Sequence, residues 1–225
     1  MTPISNRLRI FFHVVLFTVL MICCYCFIDD HLTLHTQHLR SSLYIPLRIL
    51  SILISPPTQL VIWTSLFLWF LIIKKSQKIS HTLYPMVASL ILTNALVRIV
   101  KVFFGRSRPD MLLTDGIYHL KIISFQRIFS SLPSGHAATL AAIMGFLAAR
   151  HPRYALLYIL GSILLSLCRV FIGAHYLTDI LVGNFLGFYV SWMIYFEESL
   201  DEPIYLEYTK KEPTYDSLSF HSQTD

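Results

Sequence analysis

The chain has 225 residues, of which 55% are hydrophobic and 14% charged, with a mean hydropathy of +0.59. Soluble domains of this size carry about 25% charged residues, so the composition excludes an ordinary water-soluble globule and points to lipid as the surrounding solvent. The formal net charge of +5 does not mark a nucleic-acid binder, because the basic residues sit at the ends of apolar runs rather than along one polar face.

Apolar runs that approach the roughly 20 residues needed to cross hydrocarbon as a helix lie near 9–28, 58–73, 83–104, 136–150, 154–172 and 176–196, the second and fourth being short. Arg7 and Arg9 before the first run give it the outline of a secretory signal. No small-x-small cleavage site follows, and the run exceeds a signal core, so a retained anchor is expected. Cys23, Cys24, Cys26 and Cys168 lie in apolar stretches at spacings that match no common zinc arrangement, and they read as reduced filler. The segment 43–54 is broken by Pro46 and Arg48 and followed by Pro56-Pro57, which fits an interfacial or half-inserted piece before the second span. Arg7, Arg9, Lys74, Lys75, Lys78, Arg150, Arg153, Lys210 and Lys211 share one side if both termini are cytoplasmic. The sequence therefore predicts an all-α, polytopic membrane bundle with six transmembrane helices in a domain 1–196. A polar tail, 197–225, is expected to be solvated and disordered.

The opposite side holds Asp29, Asp30, the loop 105–135 and the turn at Gly173–Tyr176. That loop mixes Tyr118, Ile122, Ile123, Phe125 and Phe129 with Lys121 and Arg127, as an amphipathic segment on the membrane surface does. Three clusters of chemistry-bearing residues border it. In the third span Asn94, Arg98 and Lys101 share a helix face, with Arg108 two turns beyond Lys101 on the same stripe. Pro109 then biases Arg108 away from helical geometry. Arg106 and Arg108 also suit snorkelling toward head groups. The fourth span opens with Pro133-Ser134-Gly135-His136, where Ser134 is placed as an N-cap and the free N–H groups of the helix start attract anions. Arg169 ends the fifth span, and His175 and Asp179, four apart, can touch at the start of the sixth. A carboxylate on one imidazole nitrogen fixes the tautomer and leaves the other nitrogen as nucleophile or base. Lys101, Arg108 and Arg169 against Asp179 make a net positive pocket that calls for an anion such as phosphate.

Lys101-x6-Arg108-Pro109, Pro133-Ser134-Gly135-His136 and Arg169-x5-His175-x3-Asp179 resemble the three motifs of the type 2 phosphatidic acid phosphatases, a superfamily shared with vanadium haloperoxidases. The motif-bearing region runs from about 95 to 185, and one position departs: Cys168 stands where the family usually has Ser. The resemblance implies a lipid phosphatase in which His175 attacks phosphorus and forms a phosphohistidine, Asp179 orients it, and His136 serves as general acid and then base. Lys101, Arg108 and Arg169, with Ser134 and the Gly135 amide, would hold the phosphoryl oxygens. No cofactor and no metal are expected, since only Asp110, Asp115 and Asp179 lie near these clusters and magnesium prefers carboxylates.

The expected partners are the bilayer and a lipid phosphate monoester or diphosphate, with no nucleic acid; oligomeric state stays open. Candidate substrates are phosphatidic acid, phosphatidylglycerophosphate, undecaprenyl diphosphate and lipid A phosphates. Lipid-to-lipid phosphotransfer by the same chemistry is an alternative, and a lipid or anion transporter a remoter one, since transporter sites usually sit at the midplane of paired repeats. The small size, minimal loops and lack of glycosylation logic suggest a bacterial inner membrane with the site on the periplasmic side.

Overall fold

A computed structural model describes residues 3–37 and 40–211, and nearly all of it is helical. In chain order the helices are α1 (Pro3–Phe27), α2 (Asp29–Thr36), α3 (Arg40–Leu53), α4 (Pro56–Leu68), α5 (Gln77–Phe103), α6 (Pro109–Asp115), α7 (Gly135–Arg150), α8 (Ala155–Ser166), α9 (Cys168–Phe171) and α10 (Leu177–Lys211). A π-helical turn, Trp69–Ile73, prolongs α4. Strands β1 (Phe104–Arg106) and β2 (Leu120–Ile122) pair antiparallel between α5 and α7, which adds a small ribbon to the expected all-α architecture.

Local chemistry sets the helix starts. Ser55 caps α4 by accepting a bond from the Thr58 amide, with Pro56 and Pro57 in the first turn, where a missing N–H costs nothing. Pro109 likewise occupies the first turn of α6, after an extended Arg108 that makes no side-chain cap, and Gly116, left-handed at φ 66°, closes it. Inside α5, Pro85 is buried and its carbonyl accepts the Ser89 hydroxyl at 2.7 Å.

Among the described residues four helical segments are long and apolar enough to cross a membrane: Pro56–Ile73, Ile79–Phe103, Pro152–Phe171 and Leu177–Glu197. A fifth arises if Val15–Phe27 and Asp29–Thr36, bent by 50° at their junction, count as one span. This is fewer than the six expected. The expected fourth span is α7, only 16 residues or about 24 Å long at 1.5 Å per residue. The expected interfacial piece is α3, whose apolar part is Leu43–Leu53. Past Glu197, α10 continues to Lys211, and the rest of the expected disordered tail, 212–225, lies outside the described residues.

α7 is the axis of the bundle. Ala137–Ile143, Gly145 and Phe146 are buried where α4, α5, α8 and α10 surround it. Residues pointing outward on those neighbours, such as Val61, Ile91, Leu156, Leu164 and Trp192, are exposed and face the lipid. Lipid is as apolar as leucine, so helices associate in it through close packing and hydrogen bonds rather than hydrophobic expulsion. The α7–α10 contact uses both. A Cβ on Gly183 would come within 2.5 Å of the Ser134 carbonyl, and one on Gly187 within 2.2 Å of the Ala138 carbonyl. One turn further on, the Ser191 hydroxyl donates to Ala142 O at 2.6 Å.

Replacing Gly187 by leucine forces α10 away from the α7 backbone. The expected result is a loss of at least about 1–3 kcal/mol, read as a lower unfolding midpoint in detergent, whereas Leu156→Ala on the lipid face leaves the midpoint nearly unchanged.

Candidate active site

The three motif-bearing stretches converge at one end of the bundle, where α5, α7, α9 and α10 meet the loop between β1 and α7. The N-terminus of α7 is bound directly to the first turn of α10: the Ser134 amide donates to Asp179 O at 2.9 Å, and the Ser134 hydroxyl caps the Ala137 amide. His136 lies in the first turn of α7 and lines a cavity of about 380 Å³ together with Arg108 and Arg169. His175 precedes α10 and is 3% exposed, with its Nδ1 3.4 Å from Asp179 Oδ2. Burial pushes the His175 ring down to about 3, with Lys101 and Arg169 acting in the same direction against Asp179. The ring is therefore neutral at ordinary pH and keeps a lone pair available.

Three cations surround these histidines. Lys101, from the last turn of α5, donates to the Ser130 carbonyl. Arg108 donates to Arg127 O and to the Ser130 hydroxyl, both at 3.3 Å. Arg169, on α9, donates to the Ser51 hydroxyl on α3. All these acceptors are neutral oxygens, which aim the cations without cancelling their charge. Arg169 Nε is buried and meets no acceptor among the described residues. Burial, then the neighbouring Arg127, lowers the pKa of Arg108, the response of a guanidinium drawn out of water toward other positive charge.

The expected helical stripe from Lys101 to Arg108 is not continuous. α5 ends at Phe103, and the backbone runs on as β1, paired through Arg106 to Leu120. The two side chains meet all the same, because both bind Ser130, on its carbonyl and its hydroxyl. Arg98, expected on the Lys101 face, is exposed. Asn94 instead accepts a bond from Thr139 of α7 at 3.2 Å. Cys168 is 2% exposed and packs with Ile54 and Leu140 in an apolar cluster.

Arg106 is the residue that sequence reasoning misassigned. It does not snorkel: it is 0% exposed and bridges two carboxylates, Asp179 Oδ1 at 2.9 Å and Asp29 Oδ2 at 2.8 Å. Its guanidinium also donates to Tyr118 OH at 2.6 Å and lies 3.9 Å from the centre of the Tyr176 ring and 4.6 Å from that of Tyr25. Burial alone would lower its pKa, but Asp179 and Asp29 more than offset this and hold it firmly charged. Asp179 is then saturated. Oδ1 takes Arg106, while Oδ2 takes the Ser131 hydroxyl at 2.5 Å and the Tyr176 amide at 3.0 Å, beside His175 Nδ1. Asp29 is fixed at its other oxygen by the Thr178 amide at 3.0 Å. The signals were present in the sequence as an acidic pair directly after the first apolar run and an arginine two places before Arg108, but their partners lie 77 and 73 residues from Arg106.

Arg106 and Asp29 add one charge of each sign, so the group as a whole stays cationic, with Arg108 and Arg169 lining the cavity and Lys101 beside Arg108 on Ser130. Such an arrangement can grip a tetrahedral dianion next to two imidazoles, one of them steered by a carboxylate.

A family model described as the PAP2 superfamily matches residues 82–197. A lipid A 1-phosphatase of Rhizobium johnstonii is 29% identical over 143 residues, covering 58% of this chain and 59% of that protein. One of Rhizobium etli is 33% identical over 103 residues, 46% of this chain and 44% of that protein. An undecaprenyl-diphosphatase of Sulfolobus acidocaldarius is 26% identical over 133 residues, 59% of this chain and 61% of that one. The matched regions thus span about half the length of these curated relatives. The crystal structure of a transmembrane PAP2-type phosphatidylglycerolphosphate phosphatase from Bacillus subtilis superposes with a TM-score of 0.52 at 19% identity. That superposition covers 85% of this chain and 94% of the other, a likeness of fold.

Arg106→Gln leaves two buried carboxylates without their shared cation, and breaking a buried ion pair from one side costs about 3–5 kcal/mol. The expected outcome is a clearly lowered unfolding midpoint in detergent; Arg106→Lys, which keeps the charge but lacks the two-pronged reach, falls between wild type and Arg106→Gln.

Proposed function

The chain belongs to the PAP2 superfamily, and from that premise we propose that it is an integral membrane phosphatase that hydrolyses a lipid phosphate monoester or diphosphate through a phosphohistidine intermediate, without a metal. The observation that carries this reading is the pairing of a neutral, buried His175, held beside a saturated Asp179, with three cations whose hydrogen bonds go to neutral oxygens.

In the first step the free nitrogen of His175 attacks phosphorus. The N–P bond forms as the P–O bond to the lipid breaks; His136 takes up a proton as the bound phosphate offsets the cations around it, and delivers that proton to the leaving oxygen. In the second step His136 takes a proton from water while the resulting hydroxide attacks phosphorus, the N–P bond breaks, and inorganic phosphate leaves. Asp179 offsets the positive charge that develops on His175. Lys101, Arg108 and Arg169 grip the three equatorial oxygens, with Ser134 and the Gly135 amide at the α7 N-terminus adding their share. Charge stabilisation of this kind is most of the catalysis of phosphoryl transfer. The donor set around the cavity favours an anion over a metal: cations dominate it, and among the described residues no three His, Cys, Asp or Glu side chains gather as a metal-binding group.

The shortness of α7, 16 residues, fits a lipid substrate. We place α7 as a sixth, short span whose outer end stops below the head-group plane, with α3 lying at the interface beside it. A head group then reaches the cavity sideways while its tails stay in the bilayer. The site faces the periplasm of a bacterial inner membrane if both termini are cytoplasmic. Phosphatidic acid, phosphatidylglycerophosphate, undecaprenyl diphosphate and lipid A phosphates are the substrates to screen.

His175→Ala is expected to abolish phosphate release from all four lipids while eluting as a folded protein, and His136→Gln to trap an acid-labile phosphoenzyme when the leaving group needs no proton. Full turnover by His175→Ala would overturn the nucleophile assignment. EDTA is expected to leave the rate unchanged; a loss that magnesium restores would sink the metal-free step.

A further inference from the structure

The cavity has a wall that the motifs do not supply. Tyr44, Arg48, Ser51 and Ser55 all line it; the spacing of the first three, four and three, places them on one face of α3, and Ser55 follows as the N-cap of α4. The other faces of α3 carry Ile45, Ile49 and Leu53, exposed by 72%, 55% and 54%, as lipid-facing residues are. This polar face is joined to the reaction site by a direct contact, because Ser51, 4% exposed, accepts the hydrogen bond from Arg169. One turn away along α3, roughly 5.4 Å of rise, Arg48 donates to the Tyr44 hydroxyl and lies 5.6 Å from the centre of its ring. Arg48 is thus presented at the mouth of the cavity by a stiff aromatic neighbour instead of ranging freely.

Of the residues that line the cavity, Arg48, Arg108 and Arg169 are positive and Asp110 negative. One phosphoryl group is fully served by Lys101, Arg108 and Arg169, which leaves Arg48 with no role in gripping it. We infer that the polar face of α3 forms a subsite for a second anionic phosphoryl group of the same substrate, held by Arg48 and Tyr44 about one helical turn from the phosphate that is cleaved. This inference rests on the phosphatase reading and narrows it to lipids that carry two nearby phosphoryl groups. Two chemistries meet that description: the inner phosphate of a lipid diphosphate, and the diester phosphate of a lipid whose head group ends in a phosphate monoester.

The test uses the purified full chain in detergent and two substrate pairs, farnesyl diphosphate against farnesyl phosphate and phosphatidylglycerophosphate against phosphatidic acid. In each pair the ratio of kcat/KM for the two-phosphoryl to the one-phosphoryl substrate is measured for wild type, Arg48→Gln and Arg48→Lys. The expected result is a fall in that ratio of about ten-fold or more in Arg48→Gln, as loss of a charge-assisted hydrogen bond implies, with partial recovery in Arg48→Lys. The pair in which the ratio moves identifies the chemistry. A wild type that releases phosphate from the monoesters, with neither ratio moved by Arg48→Gln, overturns the subsite and leaves the phosphatase reading intact. A wild type that releases phosphate from none of the four overturns both.

Discussion

Arg106 is the fixed point from which the geometry of the site follows. Its guanidinium lies in a fully buried position between Asp29 and Asp179, at 2.8 and 2.9 Å, walled by tyrosine rings. Each of these charges alone would be costly away from water, and together they are tolerated because both terminal nitrogens of the guanidinium meet a carboxylate and both carboxylates take further hydrogen bonds. The result is an aspartate that cannot rotate. His175 Nδ1 lies 3.4 Å from Asp179 Oδ2, the α7 N-terminus is bound to the Asp179 backbone, and the arginine itself sits on the strand that follows α5. Four separate parts of the chain thereby share one reference.

Around that balanced core the site is arranged in a contrasting way. Lys101, Arg108 and Arg169 are oriented by carbonyls and hydroxyls, so their charge is still available to a ligand. Charges that hold the architecture are matched internally by carboxylates, whereas these three are met by neutral oxygens. The α7–α10 packing works toward the same end. Two glycines bring the helices into backbone contact at the level where Ser134, His136 and Asp179 must meet. A wider spacing would separate the α7 start from Asp179 and His175 opposite it.

Much of this was legible in the sequence because it is local. Pro133-Ser134-Gly135-His136 starts a helix by its own capping chemistry, and His175 and Asp179 approach each other because residues four apart near a helix start do so. Lys101 and Arg108 were expected together for the wrong geometric reason: the helix that was to align them stops at Phe103, and Ser130 brings them together instead. What a linear reading missed is long-range. Arg106 reads as a head-group arginine until its partners 77 and 73 residues away are placed beside it. Six spans were expected from six apolar runs, but among the described residues length and apolarity select four or five, because α7 is short and the first apolar run leads into a bend. Arg48 read as an interruption of an apolar segment, although the four–three–four spacing of Tyr44, Arg48, Ser51 and Ser55 was there to be counted.

The buried charge cluster also imposes an order on how the protein can be made. Asp29 leaves the ribosome 77 residues ahead of Arg106, and Arg106 73 residues ahead of Asp179. During synthesis each must wait, solvated at the membrane surface, for a partner not yet translated. A chain that stops short of α10 holds an incompletely neutralised cluster, which the bilayer disfavours. Arrival of the first turn of α10, which carries Asp179, is therefore both the event that neutralises the cluster and the point at which a nascent chain ceases to display these unmatched polar groups.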